Sequence, residues 1–112
     1  MTKRRAAPTK YRAVPTKVDG IRFASKKEAR RYAELLLLQK AGHIADLALQ
    51  PRIKCTMNGV HICDYVADFF YYDRRISTRG MVYEDCKGYK TPVYKLKKKL
   101  VLALTGIEIT ET

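Results

Sequence analysis

The chain is short of the residues that small proteins use to build closed sites. Its three cysteines, Cys55, Cys63 and Cys86, are odd in number and show no Cys-x-x-Cys spacing. Neither a disulfide framework nor a structural zinc site is expected, and a reducing compartment is the simplest setting. The two histidines, His43 and His61, are not near each other in the pattern and predict no metal site. There is no Gly-rich phosphate loop, no Ser-His-Asp set and no zinc ligand cluster. No apolar run reaches membrane-spanning length; Leu35 to Leu38 is only four residues. The basic N-terminus is followed by no apolar segment, so it does not read as a secretory signal. These shortages predict a cytoplasmic protein with no membrane partner.

Acidic residues are also scarce: 11, against 23 lysines and arginines, for a formal charge of +12. For 112 residues that is a large imbalance, and it predicts attraction to a polyanion, nucleic acid first. General solubility, or a basic structural or RNA-associated role, would also account for the charge. Apolar residues make up 46% of the chain, enough for one compact domain with a modest core. Residues 1–17 contain Lys3, Arg4, Arg5, Lys10, Arg12 and Lys17, no acid, and Pro8 and Pro15. They read as a flexible basic arm, either lying along phosphates or serving as a solubilising tail. Residues 18–112 then form the single domain.

Local signals divide that domain. Val18-Asp19-Gly20-Ile21 marks a tight turn, with a small hairpin ending at Phe23. Ser25-Lys26-Lys27-Glu28 matches a capping box and opens a helix to about Lys40, stopped by Ala41-Gly42. Ala29, Tyr32, Ala33, Leu36 and Leu37 form its apolar stripe, widened by Leu35 and Leu38. Leu47 to Cys55 is a candidate strand, with an edge or bulge at Pro51. Asn58-Gly59 is a hairpin turn, followed by a long strand from about His61 to Asp73 and a polar loop, 74–80. Thr91-Pro92 starts a second helix that Gly106 ends, with a stripe of Val93, Leu96, Leu100, Ala103 and Leu104. Lys95, Lys97, Lys98 and Lys99 fall mainly on its wet side. Ile107 to Thr110 alternates as a last strand. The order predicts an α+β or α/β sandwich around a mixed sheet.

The chemistry centres on Val82-Tyr83-Glu84-Asp85-Cys86-Lys87-Gly88, a short strand. Period-2 alternation puts Asp85 and Lys87 on one face and Glu84 and Cys86 on the other. The carboxylate can hold a divalent cation, and the ammonium can meet a phosphate or a nucleophilic water. A solvated surface pair explains the same two residues. Within the apolar run Tyr65 to Tyr72, Asp68 is a costly carboxylate unless it is paired or holds a metal. Asp64 shares its parity but lies about 13 Å away along a regular strand, too far to serve the same ion. If the strands pair through the 74–80 loop, Asp68 and Asp85 converge. With the Cys86 backbone carbonyl and waters they suit Mg²⁺ or Mn²⁺. A salt bridge to an arginine or lysine is the alternative for Asp68. Glu28 joins the site only if the first helix brings its start over the Asp85 face; capping alone also explains it. Glu84 is expected to be structural, or at most to support the site from behind. Tyr89 and Lys90, with Lys26, Lys27, Lys95 and Lys98, are candidate DNA contacts alongside the arm.

These strings together resemble the PD-(D/E)XK nuclease superfamily: residues 18–29, Leu49-Gln50-Pro51, Tyr65-Val66-Ala67-Asp68-Phe69 and Glu84-Asp85-Cys86-Lys87-Gly88. More closely, with Thr91 to Tyr94 and Leu96 to Leu100, they resemble small phage- and prophage-encoded endodeoxyribonucleases. The resemblance covers about residues 18–110. It implies the αβββαβ core of restriction-endonuclease-like proteins. The family's helix glutamate falls on Glu28, its strand aspartate on Asp68, and its acid-x-Lys motif on Asp85 and Lys87. Ala67 stands where the name-giving proline would be, and Asp85 where glutamate is common; neither change removes a ligand. Similarity to Holliday junction resolvases implies branched DNA, a homodimer and, for a phage protein, the host bacterial cytoplasm.

The expectation is a Mg²⁺-dependent endodeoxyribonuclease acting on branched or junction DNA in phage recombination or replication. Asp68 and Asp85 would bind the metal, Glu28 complete or orient the site, and Lys87 position the attacking water. The alternative is a non-catalytic DNA-binding phage regulator or inhibitor that keeps the fold.

Overall fold

A computed structural model describes residues 16–76 and 80–112. The first hairpin pairs β1 (Thr16–Val18) with β2 (Ile21–Phe23), so Thr16 and Lys17 belong to it and not to an arm. Its turn residues Asp19 and Gly20 both have positive φ, 52° and 77°, the twist that suits a two-residue hairpin. The rest of the arm, with Lys3, Arg4, Arg5, Lys10 and Arg12, lies outside the described residues. Helix α1 (Lys26–Lys40) opens at Ser25, whose hydroxyl accepts the Glu28 N–H at 3.1 Å. Ala29, Tyr32 and Leu35 are its buried face. The expected stripe is rotated: Leu35 is fully buried, whereas Leu37 is 68% exposed.

Next come β3 (Ile44–Leu49), β4 (Arg52–Met57), β5 (Val60–Val66), β6 (Phe69–Asp73), β7 (Met81–Asp85), α2 (Pro92–Thr105) and β8 (Thr110–Glu111). The main sheet runs β3-β6-β7-β8, with antiparallel β3/β6 and β6/β7 pairs and a parallel β7/β8 pair. The parallel pair needs a crossover, which α2 provides. It is a mixed α+β fold with a mixed sheet and two helices. No helix is long and apolar enough to cross a membrane among the described residues.

Two expected strands are each divided. The Leu47 to Cys55 strand breaks at Gln50-Pro51, where Gln50 takes a positive φ of 52° and proline has no N–H to donate. The His61 to Asp73 strand breaks at Ala67-Asp68. Between the breaks, β4 and β5 leave the main sheet as a separate hairpin, turned at Asn58-Gly59. The bonds Gln50 N to Asp68 O, 3.0 Å, and Ala67 N to Pro51 O, 3.1 Å, close its base.

The second break has a packing cause. Tyr65, Ala67, Phe69 and Tyr71 share one parity and are all buried. Yet Tyr65 and Ala67 pack with Ile53, Cys55, Tyr94, Val101 and Ile109, while Phe69 and Tyr71 pack with Phe23, Tyr32, Leu35, Ile44 and Val82. The chain changes core between Ala67 and Phe69, and Asp68 stands at that change. The stripe of α2 is likewise displaced from expectation. Tyr94 and Val101 are buried and Leu100 and Leu104 partly so, whereas Val93, Leu96 and Ala103 are exposed. Thr91 caps this helix, accepting the Tyr94 N–H at 3.0 Å, and Gly106 ends it at φ 78°. The last strand is later and shorter than expected, because Ile107 to Ile109 serve as a connection and only Thr110 and Glu111 pair with β7.

Candidate active site

Asp85 closes β7 and is fully buried. Neither of its carboxylate oxygens has a hydrogen-bond partner. The Lys87 ammonium stands 3.6 Å from Oδ1, an ion-pair distance too long for a hydrogen bond. Burial pushes the Asp85 carboxyl up to about 6, against the pull of Lys87. A buried carboxylate with both oxygens unsatisfied is costly to keep, and such groups concentrate where function requires them. Lys87 also places its ammonium 5.0 Å over the Tyr94 ring.

Asp68 reaches the same place from the break between β5 and β6. Its Oδ2 accepts the Cys86 N–H at 2.8 Å, and its own N–H donates to Glu84 O at 3.0 Å. Its carboxyl is therefore tied to the residue beside Asp85. Burial raises its pKa, while the Cys86 N–H and Lys87 oppose the rise. This bond engages the Cys86 N–H; the Cys86 carbonyl, the expected metal ligand, takes no part in it.

Glu28 serves the helix cap and also lies within electrostatic reach of Asp68, Lys87 and Asp85. Its backbone N–H completes the Ser25 cap, while its half-buried carboxyl is held up to about 7 by burial and by the charge of Asp68, with Asp85 adding to the rise. The Ala24 N–H and Lys87 work the other way. Glu28 on α1, Asp68 in the break between β5 and β6, Asp85 at the end of β7 and Lys87 just past it thus influence one another's charge.

Glu84 faces the opposite side of β7 and is also fully buried. It is met by Arg31 Nε at 2.7 Å and Nη2 at 3.1 Å, by the Tyr71 hydroxyl at 2.7 Å and by the Thr112 hydroxyl at 3.2 Å. The Glu84 hydrogen bond raises the Arg31 pKa most; burial, then Glu84, pushes the Tyr71 phenol up to about 12. Sequence reasoning had no role for Arg31. The available signal was its place one turn after Glu28 on the sheet-facing side of α1. Glu111 was missed as well. It sits in register with Asp85 and binds the Tyr94 hydroxyl at 2.6 Å, Lys90 at 3.0 Å and Lys98 at 3.1 Å. These partners, Tyr94 first, hold its carboxyl down at about 2.

Asp64, the rival to Asp68, is elsewhere. It pairs with Arg52 at 2.9 Å and His61 at 2.8 Å on the β4–β5 hairpin. Of the candidate DNA contacts, Lys26 and Lys27 are exposed in the first turn of α1 beside Glu28, and Lys90 and Lys95 are exposed near α2. Lys98 is half-buried against Glu111.

The family described as "Protein of unknown function (DUF1064)" matches residues 8–105. The chain belongs to that family. No curated protein and no solved structure matches it. Among the described residues of this DUF1064 chain, no three His, Cys, Asp or Glu side chains gather closely enough to hold a metal ion by themselves. A Mg²⁺ ion does not need three: it commonly takes one or two carboxylates and completes its octahedron with water and substrate phosphate. The orphaned Asp85 oxygens and the Asp68 oxygen left free of Cys86 fit that hard, oxygen-only mode.

Proposed function

We propose that this chain is a metal-dependent endodeoxyribonuclease of the PD-(D/E)XK type, hydrolysing phosphodiester bonds in DNA. One observation carries the reading: a fully buried Asp85 carboxylate, unsatisfied at both oxygens, beside an ammonium and a second carboxylate. The order of α1, β3, β6, β7, α2 and β8 around one mixed sheet supports a restriction-endonuclease-like core. The charge of +12 supports a polyanionic substrate.

In this reading Asp68 and Asp85 would hold Mg²⁺ or Mn²⁺. Bound there, such an ion would stabilise charge on the scissile phosphate and favour a hydroxide nucleophile. Lys87 donates to the attacking water or to the phosphate oxygen as charge develops. Glu28 covers the site from α1 and orients the water. The Arg31–Glu84 pair stands behind β7 and keeps α1 against the sheet. Branched DNA and a homodimeric assembly belong to the same proposal.

The test is cleavage of linear, flapped and four-way junction DNA in Mg²⁺ and in Mn²⁺. Wild type should cut at least one substrate only with metal, and Asp85→Ala should cut none. Intact substrates throughout would overturn the reading in favour of a DNA-binding protein without catalysis, and metal-dependent cleavage that survives Asp85→Ala would overturn the site assigned here.

A further inference from the structure

A groove of about 380 Å³ lies between α2 and β8, next to the carboxylate pair. Lys90, Lys95, Lys98, Lys99 and the exposed Leu102 line it, with Ile109 buried behind them at 3% exposure. Two carboxylates, Glu108 and Glu111, also line it, so four ammoniums face two acids. Glu111 occupies Lys90 and Lys98 at 3.0 and 3.1 Å. Among the described residues, Lys95 and Lys99 hold no carboxylate. The groove therefore keeps two uncommitted cations beside an apolar floor at Leu102, which is 49% exposed.

It adjoins the site through Glu111 and Tyr94. Glu111 is paired in register with Asp85, and neighbouring strands lie about 4.8 Å apart. Tyr94, which lines the groove, carries the Lys87 ammonium over its ring. A strand whose phosphate sits at Asp85 and Lys87 must pass this groove or turn away from it.

The two halves of the groove ask for different things. Lysines alone would serve a duplex, which offers phosphates on its outside and keeps its base faces stacked within. An apolar floor between lysines gains only from a base whose face is free, because an unpaired base can lie on apolar or aromatic surface while its backbone follows the charges. The volume suits a small-ligand site and not a double helix.

We infer that this groove takes an unpaired nucleotide of the DNA strand beside the scissile phosphate, its base on Leu102 and its phosphate on Lys95 and Lys99. The inference rests on the nuclease reading of the neighbouring carboxylates. It narrows the substrate to DNA with a single-stranded segment next to the cut.

The experiment is fluorescence anisotropy with a thymidine oligonucleotide and with a duplex of equal length, both in chelator so that nothing is cut. Leu102→Ser removes the floor without adding charge at a half-exposed position. It should weaken the single strand about tenfold and leave the duplex within about twofold. Lys95→Gln with Lys99→Gln should weaken single-strand binding and lower its salt slope by about 0.7 per lysine. Unchanged single-strand affinity in Leu102→Ser, or an equal loss on both probes, would overturn the inference. So would an unchanged salt slope in the double lysine variant. The Leu102→Ser selectivity in a protein that cuts nothing with metal would sink the nuclease reading and leave the groove standing; metal-dependent cleavage without that selectivity would do the reverse.

Discussion

Glu84 and Asp85 are neighbours on β7, both fully buried, and they are satisfied in opposite ways. Glu84 receives Arg31, Tyr71 and Thr112, whereas both oxygens of Asp85 lack a hydrogen-bond partner. One carboxylate is consumed in holding the fold and the next is left without a hydrogen bond.

Removing the charge at Asp85 should separate stability from function. In chelator at pH 8, Asp85→Asn should be more stable than wild type, by about 1–3 kcal/mol, because a desolvated carboxylate is gone. Wild type should gain melting temperature with added Mg²⁺ or Mn²⁺ and Asp85→Asn should not. Thermal melts with and without metal check both; an equal metal-induced rise in the two proteins would remove Asp85 from the ligand set.

The metal-free protein should lose stability as pH rises through mild acid. Asp85 and Glu28 titrate at about 6 and about 7 in the folded chain, above the ordinary 3.8 and 4.5. Between those values the native state keeps protons that the unfolded state has released, so stability falls with rising pH. The window runs from about pH 4 to pH 7 and the curve flattens above it. Urea unfolding across that range in chelator measures the slope, and Asp85→Asn combined with Glu28→Gln should flatten it.

Arg31→Met leaves Glu84 buried without its cation and should cost about 3 kcal/mol. Adding Glu84→Leu should recover most of that loss, since the stranded charge is then removed as well. Chemical denaturation of the two single variants and the double one gives the coupling.

Lys87→Met should keep the metal-induced rise in melting temperature while turnover falls about 10²- to 10³-fold, the scale for removing one donor to developing charge. Single-turnover cleavage beside thermal melts distinguishes this from a ligand role, in which both would be lost.

Gly80→Ala tests the turn into β7. The residue has φ 73°, and a Cβ there would meet the Asp73 carbonyl oxygen at 2.8 Å. Both strain and contact oppose the methyl, so the variant should lose about 1–3 kcal/mol.

The legible parts of the chain were those with local causes. Ser25 and Thr91 announced their helices through capping chemistry, and Asn58-Gly59 announced its hairpin. Asp68 stood out because its neighbours are apolar, and alternation separated Asp85 from Glu84. What stayed hidden depends on distant partners. Arg31 meets Glu84 across 53 positions, and nothing in the helix spacing names that partner. The breaks at Gln50-Pro51 and Ala67-Asp68 follow from two cores competing for one run of buried residues. Which stripe of each helix is buried depends on the sheet it lies against, and this moved the contact from Leu37 to Leu35 and from Val93 to Tyr94.

The change of core at Asp68 makes this aspartate a joint between two halves of the molecule. Its carboxyl is anchored to the strand that carries Asp85, while the chain on either side is gripped by a different hydrophobic cluster. A slip of the α2 cluster relative to the α1 cluster would therefore alter the gap between the two carboxylates before any strand unpaired. If the two carboxylates hold a metal as proposed, substitutions far from the site, at Tyr65 or Tyr32, would then adjust its affinity.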